Sequence, residues 1–133
     1  MGNSSVTTLS TSANLVTFNP TSSTINATAT ATVDNIISGY ITSTSAAVTT
    51  ITLPTATAIA TALGTVTRGT QLEFTVDNVS GAQTVTIALG TGITAITPVI
   101  TGTNTLTVSV ANGIARFRLI FTSATTAKII RVF

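Results

Sequence analysis

Threonine fills 33 of the 133 positions, and that excess narrows what the chain can fold into. Its β-branched side chain is stiff at χ1, fits a pleated surface, and carries a methyl and a hydroxyl together. Interleaved with Val, Ile and Ala, it predicts an all-β protein. Hydrophobic residues make up 44% of the chain, enough for a core, while charged residues reach only 6%, against about 25% in an average soluble domain. A chain of this length forms one domain that buries about two-thirds of its unfolded surface.

The pattern is tightest from Asp34 onward. Ile36–Thr42 and Val48–Leu53 read as strands, and Pro54 ends the second. Thr55 then caps one short helix, Ala56–Leu63, stopped by Gly64. After a turn at Arg68-Gly69, Gln71–Asp77 alternates, with Leu72, Phe74 and Val76 on one face. Val85, Ile87 and Leu89 continue on the next strand, and residues 93–104 read as a short irregular or edge strand around Pro98. Leu106, Val108 and Val110 alternate before Asn112-Gly113, a hairpin signal. The return strand turns Ala115, Phe117, Leu119 and Phe121 inward and Arg116 and Arg118 outward, and Lys128–Phe133 closes a three-stranded meander. Strand signals every 8–12 residues predict a single antiparallel β-sandwich or barrel over residues 34–133, jelly-roll-like, with one helix. No fixed-period repeat is present, which argues against a solenoid.

Residues 1–33 differ. They are rich in Ser, Thr, Asn and Ala, and Thr28-Ala29-Thr30-Ala31-Thr32 alternates with little to bury. They read as an extended N-terminal arm, either a low-complexity leader or a segment ordered against a partner through Leu9, Leu15 and Phe18.

Charge excludes one class of partner. Residues 1–67 hold no Lys or Arg, so the clustered cations that release counterions from phosphate are missing. Nucleic acid is therefore not expected as the partner. The first residues lack a signal peptide's basic and apolar regions. Gly2 starts a myristoylation pattern that fails at Val6. No apolar run is long enough for a membrane helix, and Tyr40 with five Phe residues is too little for the aromatic girdles of a membrane barrel.

Catalysis finds little to work with. There is no His and no Cys, which removes the usual neutral-pH base, the thiol nucleophile and any disulfide framework. The acids are Asp34, Glu73 and Asp77. Glu73 and Asp77 share one strand face with backbones roughly 13 Å apart, farther than the 5–9.5 Å or so of paired glycosidase carboxylates. Asp77-Asn78-Val79-Ser80-Gly81 lacks the acidic spacing of a calcium loop and fits an Asx turn. Gly90-Thr91-Gly92 has no helix and lysine after it to hold phosphate. No enzyme activity and no cofactor are expected. Arg116 and Arg118 read either as blunting charges on a strand or as anchors for acidic groups on a neighbouring subunit.

The stretches IISGYITSTSAAVTTITLPTATAIATALG and GTQLEFTVDNVSGAQTVTIALGTGI resemble small bacteriophage virion proteins of the capsid decoration, cement or head-fibre type. The likeness covers roughly residues 36–92. It implies a structural protein on the capsid surface, assembled in the host cytoplasm, that bridges subunits of the major capsid protein. A homotrimer on a symmetric lattice site is the expected assembly. Leu9, Leu15, Phe18, Arg116 and Arg118 are the candidate partner contacts. Two alternatives stand beside it. A fibre or adhesin module would bind a host glycan, although Tyr40 is a thin aromatic supply for stacking sugars. An ice-binding protein would need ranks of Thr-x-Thr, shown briefly at residues 28–32 and 105–107 but without the repeat that tiles a plane.

Overall fold

A computed structural model describes residues 23–96, 106–109 and 113–133. Its elements are β1 (Ser23–Thr24), β2 (Ala29–Thr30), α1 (Val33–Ile37), β3 (Tyr40–Thr42), β4 (Thr49–Thr52) and α2 (Ala56–Leu63). They continue with β5 (Gln71–Asn78), β6 (Val85–Ala88), β7 (Ile93–Ala95), β8 (Thr107–Val108), β9 (Gly113–Phe121) and β10 (Ala127–Arg131). Two sheets result: a larger one in the order β1-β3-β5-β9-β10-β7 and a smaller one in the order β2-β4-β6-β8.

The chain alternates between these sheets. Each of three successive passes lays one strand on the larger sheet and the next on the smaller, and like strands stack parallel. Ser23, Ile41 and Val76 fall in one column, and Ala29, Ile51 and Ile87 in another. β8 and β9 run the other way, antiparallel to β6 and β5, while β10, antiparallel to β9 and parallel to β7, returns to the first direction. The protein is sheet-rich as expected, but its sheets are mixed, so the single antiparallel jelly-roll-like arrangement is corrected. The stacking follows a solenoid's logic without a period. The step from Ile41 to Val76 is nearly twice that from Ser23 to Ile41, because α2 and the Arg68-Gly69 turn are spliced into the second pass. Sequence periodicity therefore does not register it.

There are two helices among the described residues, where one was expected. Ile36 and Ile37, expected to begin a strand, end α1 instead. Thr32 caps that helix by accepting the Asn35 N–H at 3.2 Å, and Asn35 Oδ1 accepts the Thr32 N–H at 2.8 Å. Gly39, at φ 78°, then turns the chain through a conformation that costs other residues dearly, and the strand starts only at Tyr40. The second helix lies at Ala56–Leu63 as predicted, with Thr55 Oγ1 accepting the Ala58 N–H and Gly64 closing it.

Two further corrections concern the ends. Residues 23–31 belong to the packed structure, since β1 and β2 pair with β3 and β4 while Ile25 and Ala31 are buried, so the boundary expected at residue 33 falls inside the fold. Residues 1–22, with Leu9, Leu15 and Phe18, lie outside the described residues. Residues 110–112 of the expected Asn112-Gly113 hairpin lie outside the described residues, and the described parts of its two arms join different sheets. Thr107–Val108 joins β6 in the smaller sheet, whereas Gly113–Phe121 joins β5 and β10 in the larger. Only the last two strands of the expected meander are neighbours.

One apolar cluster unites the layers. The larger sheet contributes Phe74, Val76, Phe117, Leu119, Phe121 and Ile129, the smaller Ile51, Val85, Ile87 and Val108, and the helices Ile36 and Ile59. The inward assignment of Ala115, Phe117, Leu119 and Phe121 holds, with each fully enclosed. Phe74 and Phe117 face each other across the ladder, with ring centroids 5.5 Å apart.

Candidate functional site

The outer faces of the two sheets differ in chemistry. On the larger sheet, alternation turns Glu73 and Asp77 of β5, Arg116 and Arg118 of β9, and Lys128 of β10 outward. These are five of the eight charged side chains in the protein. Register places Glu73 directly opposite Arg118, and the carboxylate accepts from Arg118 Nε at 2.7 Å and lies 2.5 Å from its Nη2. Arg116 stands opposite Thr75, reaches its hydroxyl at 3.4 Å, and holds its guanidinium 5.1 Å from the Phe133 ring. Both arginines raised by the sequence therefore have partners inside the chain.

The Arg118–Glu73 pair is just over one-third exposed at each end. Water and salt screen it, so Arg118→Gln is expected to change stability by less than about 1 kcal/mol, with the difference shrinking as salt is added. Urea denaturation at two ionic strengths measures this.

Tyr40 donates its hydroxyl to Asp77 Oδ2, while Asp77 Oδ1 accepts the Val79 N–H at 2.9 Å in the expected Asx turn. The Tyr40 hydrogen bond first, and the Val79 N–H second, hold the Asp77 carboxyl below its ordinary value. The same hydrogen bond raises the Tyr40 phenol above its ordinary 10.0. A depressed carboxyl contributes stability above its unfolded pKa, and that contribution is lost as pH falls through the folded value. A raised phenol contributes below its unfolded pKa and loses that contribution as pH climbs past the folded one. Tyr40→Phe should flatten the dependence of stability on pH below about pH 4, a difference that denaturation titrations of both proteins would read.

The smaller sheet presents the opposite surface. Burial alternates along β4 and β6, with Thr49, Ile51, Val85 and Ile87 inward and Thr50, Thr52, Thr86 and Ala88 outward. Parallel register sets Thr30 beside Thr52 and Thr50 beside Thr86, and antiparallel register sets Thr107 beside Thr86. None of the four strands carries a charged residue, although Arg131 of β10 donates to the Thr107 carbonyl at the β8 edge. Thr28 Oγ1 accepts the Thr50 N–H at 3.0 Å and so completes the ladder at its edge. The hydroxyls of Thr30, Thr50, Thr52, Thr86 and Thr107 make no hydrogen bond to another described residue. At the margin of the face stands one exposed apolar residue, Val48 before β4 at 65%.

The sequence shows the Thr-x-Thr ranks at residues 28–32 and 105–107, but not that their strands join in one face. A signal existed in the recurrence of Thr-x-Thr at Thr28–Thr30, Thr50–Thr52 and Thr84–Thr86. Unequal spacing along the chain hid the fact that these segments become neighbours.

Among the described residues no cluster of His, Cys, Asp or Glu could hold a metal ion, and no helix is long and apolar enough to cross a membrane. A shallow open depression between β7 and β10 is lined by Gly92, Thr94, Thr122, Thr126, Ala127 and Lys128. No protein-family model, curated protein or solved structure matches this chain.

Proposed function

We propose that the chain is a structural virion protein that decorates a bacteriophage capsid. It binds between subunits of the major capsid protein as a homotrimer and acts mechanically, by sealing seams against internal pressure. The observation that carries this reading is the uncharged, hydroxyl- and methyl-bearing face of the smaller sheet. Free domains keep themselves soluble with charged surfaces. A hydroxyl face loses less than a charged one on leaving water, provided its hydroxyls find partners. The partition of charge onto the opposite sheet supports the same reading, because it leaves one face suited to burial in an assembly. The sequence likeness over residues 36–92 supplies the virion setting.

Mass spectrometry of purified particles tests this directly. The chain is expected in fixed stoichiometry with the major capsid protein. Particles that carry no copies, or only traces, would remove the proposal.

A further inference from the structure

We infer that the outer face of the smaller sheet, centred on Thr50, Thr52 and Thr86, is the surface through which copies of this chain meet one another. The inference rests on the homotrimer proposed above and assigns the contact to one of the two available faces.

In a cyclic assembly every subunit presents the same patches, so a contact near the axis brings like residues together. A charged patch placed there sets equal charges side by side or strips them of water, and both are costly. The outer face of the larger sheet carries five charged side chains and would meet that penalty. The described strands of the smaller sheet carry none.

Its hydroxyls also suit self-contact. Each Thr hydroxyl both donates and accepts, so any one can pair with any other without a complementary residue type opposite. Here those of Thr30, Thr50, Thr52, Thr86 and Thr107 are uncommitted to other described residues. The ladder spaces them by about 4.8 Å across strands and about 6.6 Å along them. That gives a regular array, whose like hydroxyls meet from three copies when the face is turned to a threefold axis. Val48 adds apolar surface at the margin, where it is largely exposed in the single chain. An acidic or basic partner finds no charged side chain on the described strands of this face, and only Arg131 at its β8 edge.

The test uses the absence of cysteine from the chain. Light scattering on the unmodified protein is expected to give three times 13.4 kDa. Thr52→Lys and Thr86→Lys, each placing a cation on the shared face, are expected to reduce this to the monomer mass. Thr94→Lys, on the exposed side of β7 in the larger sheet, is expected to leave the trimer intact. In case the lysine variants fail to fold, Val48→Cys and Thr52→Cys supply single thiols with little change in size. Both are expected to be shielded from a maleimide in the assembled protein, whereas the thiol of Thr94→Cys reacts freely. A monomeric unmodified protein would overturn the trimer itself. A trimer that survives Thr52→Lys, with the Thr52→Cys thiol as reactive as the control, would overturn the face assignment alone. Thermal hysteresis in the unmodified protein that disappears in Thr52→Lys would also overturn it, because the face would then meet ice.

Discussion

Phe117→Ala is expected to cost about 3–5 kcal/mol and to lower the melting temperature by roughly 10–20 °C, at a few degrees per kcal/mol for a chain this long. Phe117 sits mid-strand in β9, between β5 and β10, with none of its surface exposed. Its ring packs against Phe74 across the ladder, so truncation removes both its own transfer from water and the contact its neighbour relied on. The surroundings cannot collapse to fill the space, because strands on either side fix the backbone. Differential scanning calorimetry reads the shift. An unchanged melting temperature would mean that the strand does not face inward.

The second large effect belongs to a polar residue. Asn78 ends β5 and is fully buried. Its Nδ2 donates to the Gln83 carbonyl at 2.7 Å and to the Ser109 carbonyl at 3.0 Å. Ser109 follows β8 and Gln83 precedes β6, so one amide ties the larger sheet to two segments of the smaller. Gly81 permits this, since a Cβ there would sit 1.8 Å from Asn78 Oδ1. Asn78→Ala leaves two carbonyls short of a donor and is expected to cost about 2–4 kcal/mol. Asn78→Asp is expected to cost more at neutral pH, because a buried carboxylate would face two carbonyl oxygens. Protonation restores one donor. The folded pKa of that variant lies above the unfolded one, so its deficit is smallest below about pH 4 and grows as pH rises. Urea midpoints of both variants at acidic and neutral pH measure this. Equal loss by Asn78→Asp at both would dispose of the electrostatic account.

The strands with clean alternation were legible, and for a physical reason. Gln71–Asp77 and Ala115–Phe121 each have one buried and one wet face, so period-two patterning maps straight onto burial. The capped helix at Ala56–Leu63 was legible through Thr55 and Gly64. Topology was not. A parallel neighbour lies a whole pass away in sequence, and nothing in Ile41 announces that it will stand between Ser23 and Val76. The strand expected at Ile36 shows a second limit, because an apolar run is compatible with either element until the Thr32 cap and Gly39 divide it. The Asn112-Gly113 signal misled because local turn chemistry says nothing about which sheet each flanking strand will join. The two arginines were correctly turned outward, but their partners depended on register, which only the β5–β9 ladder fixes.

The placement of β9 has a consequence for synthesis. It is made well after β5, yet it pairs along the whole length of that strand and lies between β5 and β10 in the larger sheet. Until it emerges from the ribosome, β5 offers a full row of unpaired backbone donors and acceptors beside Phe74 and Val76. Such an edge recruits strands from other nascent chains. At translation rates of roughly 5–20 residues per second, the interval between completing β5 and completing β9 lasts a few seconds. Polysomes making this protein would then need holdase protection during that window, and slowing translation between Asn78 and Gly113 would raise the insoluble fraction without altering the finished molecule.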